Sequence, residues 1–83
     1  MRQQQNLYTM KHIYNIKEQT ENEIRTFFSS TTKRDIESMF NRLMKSFSKD
    51  SHYMVERIRM GYCKVTLFGV FGNIETEYWI ERA

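Results

Sequence analysis

There is no proline among the 83 residues, there are three glycines, and there is one cysteine. Each scarcity removes a class of protein. With no proline and no linker-like or repeated run, nothing divides the chain, and it reads as one continuous unit. Cys63 alone cannot form an intrachain disulfide framework or a cysteine-clustered zinc site; a lone thiol suits a reducing cytoplasm, although it can still bridge two chains. Gly61, Gly69 and Gly72 are too few and too scattered for a phosphate-cradling loop, and no GK[ST] occurs. No apolar run approaches the roughly 20 residues that span a bilayer, and the start lacks the apolar segment of a signal peptide. The expected location is the cytoplasm, with no membrane partner.

What is present is a globular composition. A hydrophobic share of 40%, with 14% aromatic residues and charges of both signs, sets the chain apart from disordered sequences. Its length allows one domain, near the lower limit for folding without disulfides or metal. The expected organisation is a flexible N-terminus over residues 1–6, "MRQQQN", followed by a single α+β domain over 7–83. The net charge of +3 permits contact with nucleic acid but is small for a dedicated DNA binder. Its distribution is uneven. Between Lys33 and Lys64 there are eight Lys/Arg against four Asp/Glu, whereas after Asn73 the residues Glu75, Glu77 and Glu81 face only Arg82.

Hydrophobic spacing divides the chain into elements. In "LYTMKHIYNIK" the residues Tyr8, Met10, His12, Tyr14 and Ile16 alternate with polar ones, which predicts a half-buried strand. A turn over about Glu18–Asn22 and a second strand, "EIRTFFS", complete a first hairpin with Ile24, Thr26 and Phe28 inward. The period then changes. Ile36, Met39, Phe40, Leu43 and Phe47 line one face of a helix over about Lys33–Ser48, with Thr32 as N-cap and Asp35 three residues on. "YMVERIRM" fits a strand or an extended connection, and Gly61 a bend after it. Gly72-Asn73 fits a two-residue turn closing the last hairpin. That turn predicts an inward face pairing Phe71/Ile74, Leu67/Tyr78 and Val65/Ile80. The outward face would pair Val70/Glu75, Phe68/Glu77, Thr66/Trp79 and Lys64/Glu81. The expected fold is ββαββ, or ββαβββ: an antiparallel sheet with one amphipathic helix on one face.

Catalytic patterns are weak. His12 and His52 lack metal-ligand spacing, and His12 reads as a structural residue on the inward face. Ser46 to Lys49 matches S-x-x-K at a helix end without a companion motif. Cys63 reads as a small apolar strand residue, and Glu75 and Glu77 as solvated strand carboxylates more than an acid/base pair. No catalytic residue, metal ligand or cofactor is assigned.

Two binding surfaces remain. Phe68 and Trp79 are expected as diagonal neighbours on the open sheet face, ringed by Glu75, Glu77 and Glu81 and extended by Phe27 or Ile13. Exposed aromatics can stack bases, but these glutamates repel phosphate and favour a basic protein surface. A second copy of the chain, giving a homodimer, is another way to cover that face. The alternative surface is the outer helix face with Lys33, Arg34, Arg42, Lys45 and Lys49, which suits nucleic acid or is an ordinary solvated face.

The strand "YTMKHIYNI", the helix "DIESMFNRLMKSF" and the closing "CKVTLFGVFGNIETEYWIE" together resemble the layout of small accessory proteins of phages and mobile elements, among them anti-CRISPR and other anti-defence inhibitors. The resemblance implies a non-enzymatic, phage-encoded inhibitor that blocks a host defence or nucleic-acid-processing complex by stoichiometric binding. Many such inhibitors are acidic DNA mimics; the positive net charge departs from that pattern and points to a local patch. The alternative is a small nucleic-acid-binding regulator using the basic helix face.

Overall fold

The computed structural model describes residues 12–83. The segment 1–6 and the first half of the expected opening strand, including Tyr8 and Met10, lie outside the described residues. The elements run β1 (Tyr14–Gln19), β2 (Ile24–Ser30), α1 (Lys33–Ser48), β3 (Tyr53–Arg59), β4 (Tyr62–Gly69) and β5 (Gly72–Arg82). This is the ββαβββ form of the expected α+β layout. The strands make one antiparallel sheet in the order β2-β1-β5-β4-β3. The fifth strand in chain order is therefore the central one, and at 11 residues it is the longest of the five.

Helix α1 has the bounds its spacing predicts. Ile36, Phe40 and Met44 are its buried residues, with Met39, Leu43 and Phe47 packed beside them. Met44 is eight residues after Ile36 and completes the stripe that the sequence pattern had only partly identified. Thr32 occupies the N-cap with extended backbone, but its side chain makes no cap hydrogen bond. Its carbonyl accepts the Ile36 N–H at 3.1 Å, and its own N–H donates to Ser30 Oγ at 3.1 Å.

The helix covers one face of the sheet, where it meets Ile16, Cys63, Val65 and Tyr78. One polar group enters this core. Glu18, 7% exposed, accepts hydrogen bonds from the Tyr78 hydroxyl and from Arg25 Nε. Both donors satisfy a carboxylate that would otherwise be costly to bury. Burial, and then this hydrogen bond, pushes the Tyr78 phenol well above its ordinary pKa.

Bulges correct several expected side-chain directions. Register shifts between Ile16 and Lys17, so that Phe28 faces Ile16, Thr26 faces Lys17, and Phe27 has no partner. Ile24 and Thr26, expected inward, turn outward: Ile24 is 57% exposed and Thr26 Oγ1 accepts from Lys17 Nζ at 2.9 Å. Phe27, expected on the open face, instead lies edge-on to the Tyr78 ring at 6.2 Å. His12 is exposed, not inward. A second shift between Arg57 and Arg59, just before Gly61 at φ 74°, explains the disturbed alternation of β3. That segment is a strand at the sheet edge.

The closing hairpin turns two residues earlier than expected. Gly69 pairs with Gly72, leaving Val70-Phe71 at the tip. Val65 therefore faces Thr76, Leu67 faces Ile74, Lys64 faces Glu77 and Thr66 faces Glu75. The expected Lys64/Glu81 pair does not form. The slip is by an even number of positions, so each residue keeps the face assigned to it while changing its partner. Backbone geometry selects the turn. Gly72 has φ 130°, which residues with a Cβ rarely adopt, and a Cβ on Gly69 would lie 2.7 Å from the Gly72 carbonyl oxygen.

Candidate protein-docking hairpin

The tip of the β4–β5 hairpin projects beyond the rest of the sheet. Pairing of β1 with β5 ends at Gln19 and Glu77, and pairing of β3 with β4 ends at Tyr53 and Leu67. The main chain from Gly72 to Thr76 therefore has β4 on one side and no strand on the other. Helix α1 ends short of the tip as well: beyond Phe47 and Tyr78 a shallow recess of about 210 Å³ leaves Leu67 and Ile74 partly uncovered.

At this end the apolar side chains are bare. Val70 is 94% and Phe71 fully exposed, while Phe68 and Ile74 are about half exposed. Phe71 and Ile74, expected to form a core pair, have the inward parity but lie past the helix, so nothing covers them. No lysine or arginine occurs from Val65 to Ile80, whereas Glu75 and Glu77 do. The tip is thus an apolar knob on a ribbon with a mildly acidic flank.

The expected cluster of Phe68 and Trp79 is divided. Both occupy the face away from the helix, but Trp79 is opposite Tyr62 and Phe68 is opposite Asn73. Six strand positions separate Tyr62 from Phe68, roughly 20 Å of β4. Around Trp79 the chemistry is polar. Its indole Nε1 donates to Glu81 at 3.3 Å, the Tyr62 hydroxyl donates to Glu77, and the Arg59 guanidinium stands 5.0 Å from the Tyr62 ring centroid. Lys64 Nζ lies 3.8 Å from Glu75 and 3.9 Å from Glu56. Of the three late glutamates only Glu75 has a cation beside it; Glu77 and Glu81 accept from neutral donors and keep their negative charge. Ile13, 48% exposed, is too far along the sheet from Phe68 to extend its patch.

The basic set on the helix is exposed throughout. Arg34, Arg42, Lys45 and Lys49 fall within roughly 80° of arc opposite the buried stripe, with Lys33 on a separate flank. Among the described residues none of the five is ion-paired.

Groups suited to catalysis are not gathered. Cys63 is fully buried, and burial raises its thiol pKa, disfavouring the reactive thiolate. His52 is held by Asp50 through its own N–H and ring nitrogen. Ser46 and Lys49 of the S-x-x-K pattern are both exposed at the helix end, where Lys49 is the C-cap. Among the described residues there is no cluster of three His, Cys, Asp or Glu side chains placed to hold a metal ion, and no helix is long and apolar enough to cross a membrane.

No family model, curated protein or solved structure matches the chain. The tip was missed by sequence reasoning because the turn was placed at Gly72-Asn73. Two glycines bracketing Val-Phe, "GVFG", were the signal that locates it.

Proposed function

We propose that this chain is a non-enzymatic binding protein that docks on a partner protein through the tip of its β4–β5 hairpin. The exposure of Val70 and Phe71, carried beyond every neighbouring element, is the observation that supports it. Burying two such side chains contributes roughly 1.5–3 kcal/mol each, enough for an anchor at the centre of an interface. A protein cleft fits better than a nucleic acid or an anionic membrane, because the ribbon from Val65 to Ile80 offers no cation to either. The free edge from Gly72 to Thr76 adds main-chain donors and acceptors that a partner strand can pair. An inhibitor of a host defence or nucleic-acid-processing complex is the form of this function that the layout suggests.

The test compares wild-type protein with the V70S/F71S variant in affinity capture and sedimentation. The expected result is a defined complex that forms with the wild type and is lost in the variant, with thermal melting unchanged. Equal capture by both proteins rules the tip out. A wild-type dimer that the variant dissolves would assign the tip to self-association instead.

A second function is favoured by one observation, the stripe of unpaired cations on α1. If it lies along phosphates, oligonucleotide binding falls steeply with salt and the R42Q/K45Q variant reduces that slope. Binding that ignores these substitutions excludes the helix as a nucleic-acid surface.

A further inference from the structure

At the opposite end of the same hairpin the structure encloses a larger recess, about 580 Å³, between α1 and the β3–β4 turn. This is within the usual range of small-ligand sites. It forms because β4 begins at Tyr62, opposite Trp79, while β5 continues to Arg82. Past that point the β4-side edge of β5 is met only by the turn, through Ile80 N–H donating to the Gly61 carbonyl at 2.9 Å, while β1 stays paired along its other edge. The gap lets residues from both faces of the sheet share one wall.

Six side chains give the recess its chemistry: Arg57 and Arg59 from β3, Tyr62 from β4, Trp79 from β5, and Glu37 and Asn41 from successive turns of α1. Arg57 sits opposite the buried Cys63, on the helix side of the sheet, with its own side chain exposed. Among the described residues neither Arg57 nor Arg59 has a carboxylate within ion-pair distance, although Arg25 and Lys64 do. Arg59 is held by its stacking over Tyr62, so one guanidinium is positioned before any ligand arrives. The Tyr62 and Trp79 rings are 6.1 Å apart and tilted by 32°.

We infer that this recess binds a nucleoside monophosphate unit, with Arg57 and Arg59 on the phosphate, the Tyr62/Trp79 wall against the base, and Glu37 and Asn41 reading hydrogen-bond donors on the sugar or base. Two unpaired guanidinium forks match the bidentate geometry of a phosphate. Partly exposed aromatic rings beside them supply the stacking surface a base uses. Glu37 is the one carboxylate in the lining, contributed by α1, whereas the arginines come from β3. It repels the phosphate toward the β3 side and accepts from hydroxyl or amino groups, which fixes the orientation. The site is separate from the hairpin tip and does not depend on it.

Trp79 is the only tryptophan, so its fluorescence reports directly on the recess. The probes are AMP, GMP, CMP and UMP, with adenosine and inorganic phosphate as partial ligands and a short single-stranded oligonucleotide as the polymeric form. At least one mononucleotide should give a saturable change with a dissociation constant of about 1 mM or tighter. Adenosine and phosphate should each bind roughly tenfold more weakly, and the R57Q/R59Q variant should lose roughly tenfold in affinity for the nucleotide. Both arginines are exposed, so that variant keeps the fold. V70S/F71S should titrate like the wild type. An oligonucleotide that binds more tightly than the mononucleotide, and is weakened equally by R57Q/R59Q, identifies a nucleic-acid strand as the source of the unit; equal affinities identify the free nucleotide. The inference is overturned if no mononucleotide produces a saturable change, or if R57Q/R59Q binds as well as the wild type.

Discussion

The two ends of the β4–β5 hairpin are built from one continuous ribbon yet differ in almost every physical respect. At the base, Cys63, Val65 and Tyr78 lie under α1, β1 completes the sheet beside β5, and β3 completes it beside β4. At the tip, Val70 and Phe71 have no layer over them and no strand beside them. The base has polar groups in defined hydrogen bonds, whereas the tip has apolar groups in water. What differs is only how far the neighbouring elements extend. A strand's neighbours decide whether its hydrophobic residues stabilise the fold or stay available for another molecule.

The contrast can be broken by showing that the tip matters to folding or that the base does not. The largest effect belongs to Phe40→Ala, which empties the helix side of the base and lowers unfolding free energy by about 3–5 kcal/mol in urea titrations. Glu18→Ala comes next, at about 2 kcal/mol, because it leaves the buried Tyr78 hydroxyl without its acceptor; Glu18→Gln, which keeps an acceptor oxygen, should cost less. Gly72→Ala sharpens the boundary between the two ends. It strains the turn by about 1–2 kcal/mol and destabilises the protein without touching the core, and an unchanged urea midpoint would refute the turn geometry.

An alkaline titration probes the base without any truncation. The Tyr78 phenol holds its proton more tightly in the folded state than its ordinary value of 10.0 allows in the unfolded chain. Its contribution is therefore fully present below about pH 10 and is lost as the pH climbs toward the folded value. Urea midpoints should be level up to that point and fall above it, and Tyr78→Phe should flatten the decline. The smallest effect belongs to V70S/F71S, whose stability should lie within about 0.5 kcal/mol of the wild type. A loss of several times that figure would mean that the tip is part of the folding unit after all.

The sequence showed periodicity more clearly than partnership. Helix α1 was legible to its end residues because five apolar side chains, Ile36, Met39, Phe40, Leu43 and Phe47, follow a 3.6-residue period, and intrahelical geometry needs no knowledge of the rest of the chain. Strand faces in the closing hairpin were legible for a similar reason, since alternation is local. Register was not. Both Gly72-Asn73 and Val70-Phe71 preserve the same alternation, and only the close approach of Gly69 to Gly72 separates them. The outward turn of Ile24 and Thr26 was hidden because the bulge at Phe27 leaves no composition signal. Thr66 is a further case: it lies on the face away from the helix yet is 5% exposed, between Met54 and Glu75 across the strands. Burial there depends on the length of its neighbours, which a one-strand pattern does not reveal. The division of Phe68 from Trp79 follows from the same change of register, and so does the discovery of two chemically different ends.

The glycine-bracketed turn separates two sets of constraints on one ribbon. Substitutions at positions 70 and 71 change the chemistry of the tip without altering which residues face the helix, since the glycines on either side hold the turn. The residues that set the surface of the tip and those that stabilise the fold are therefore different residues of the same ribbon. The surface of the tip can thus be rewritten without repacking the base.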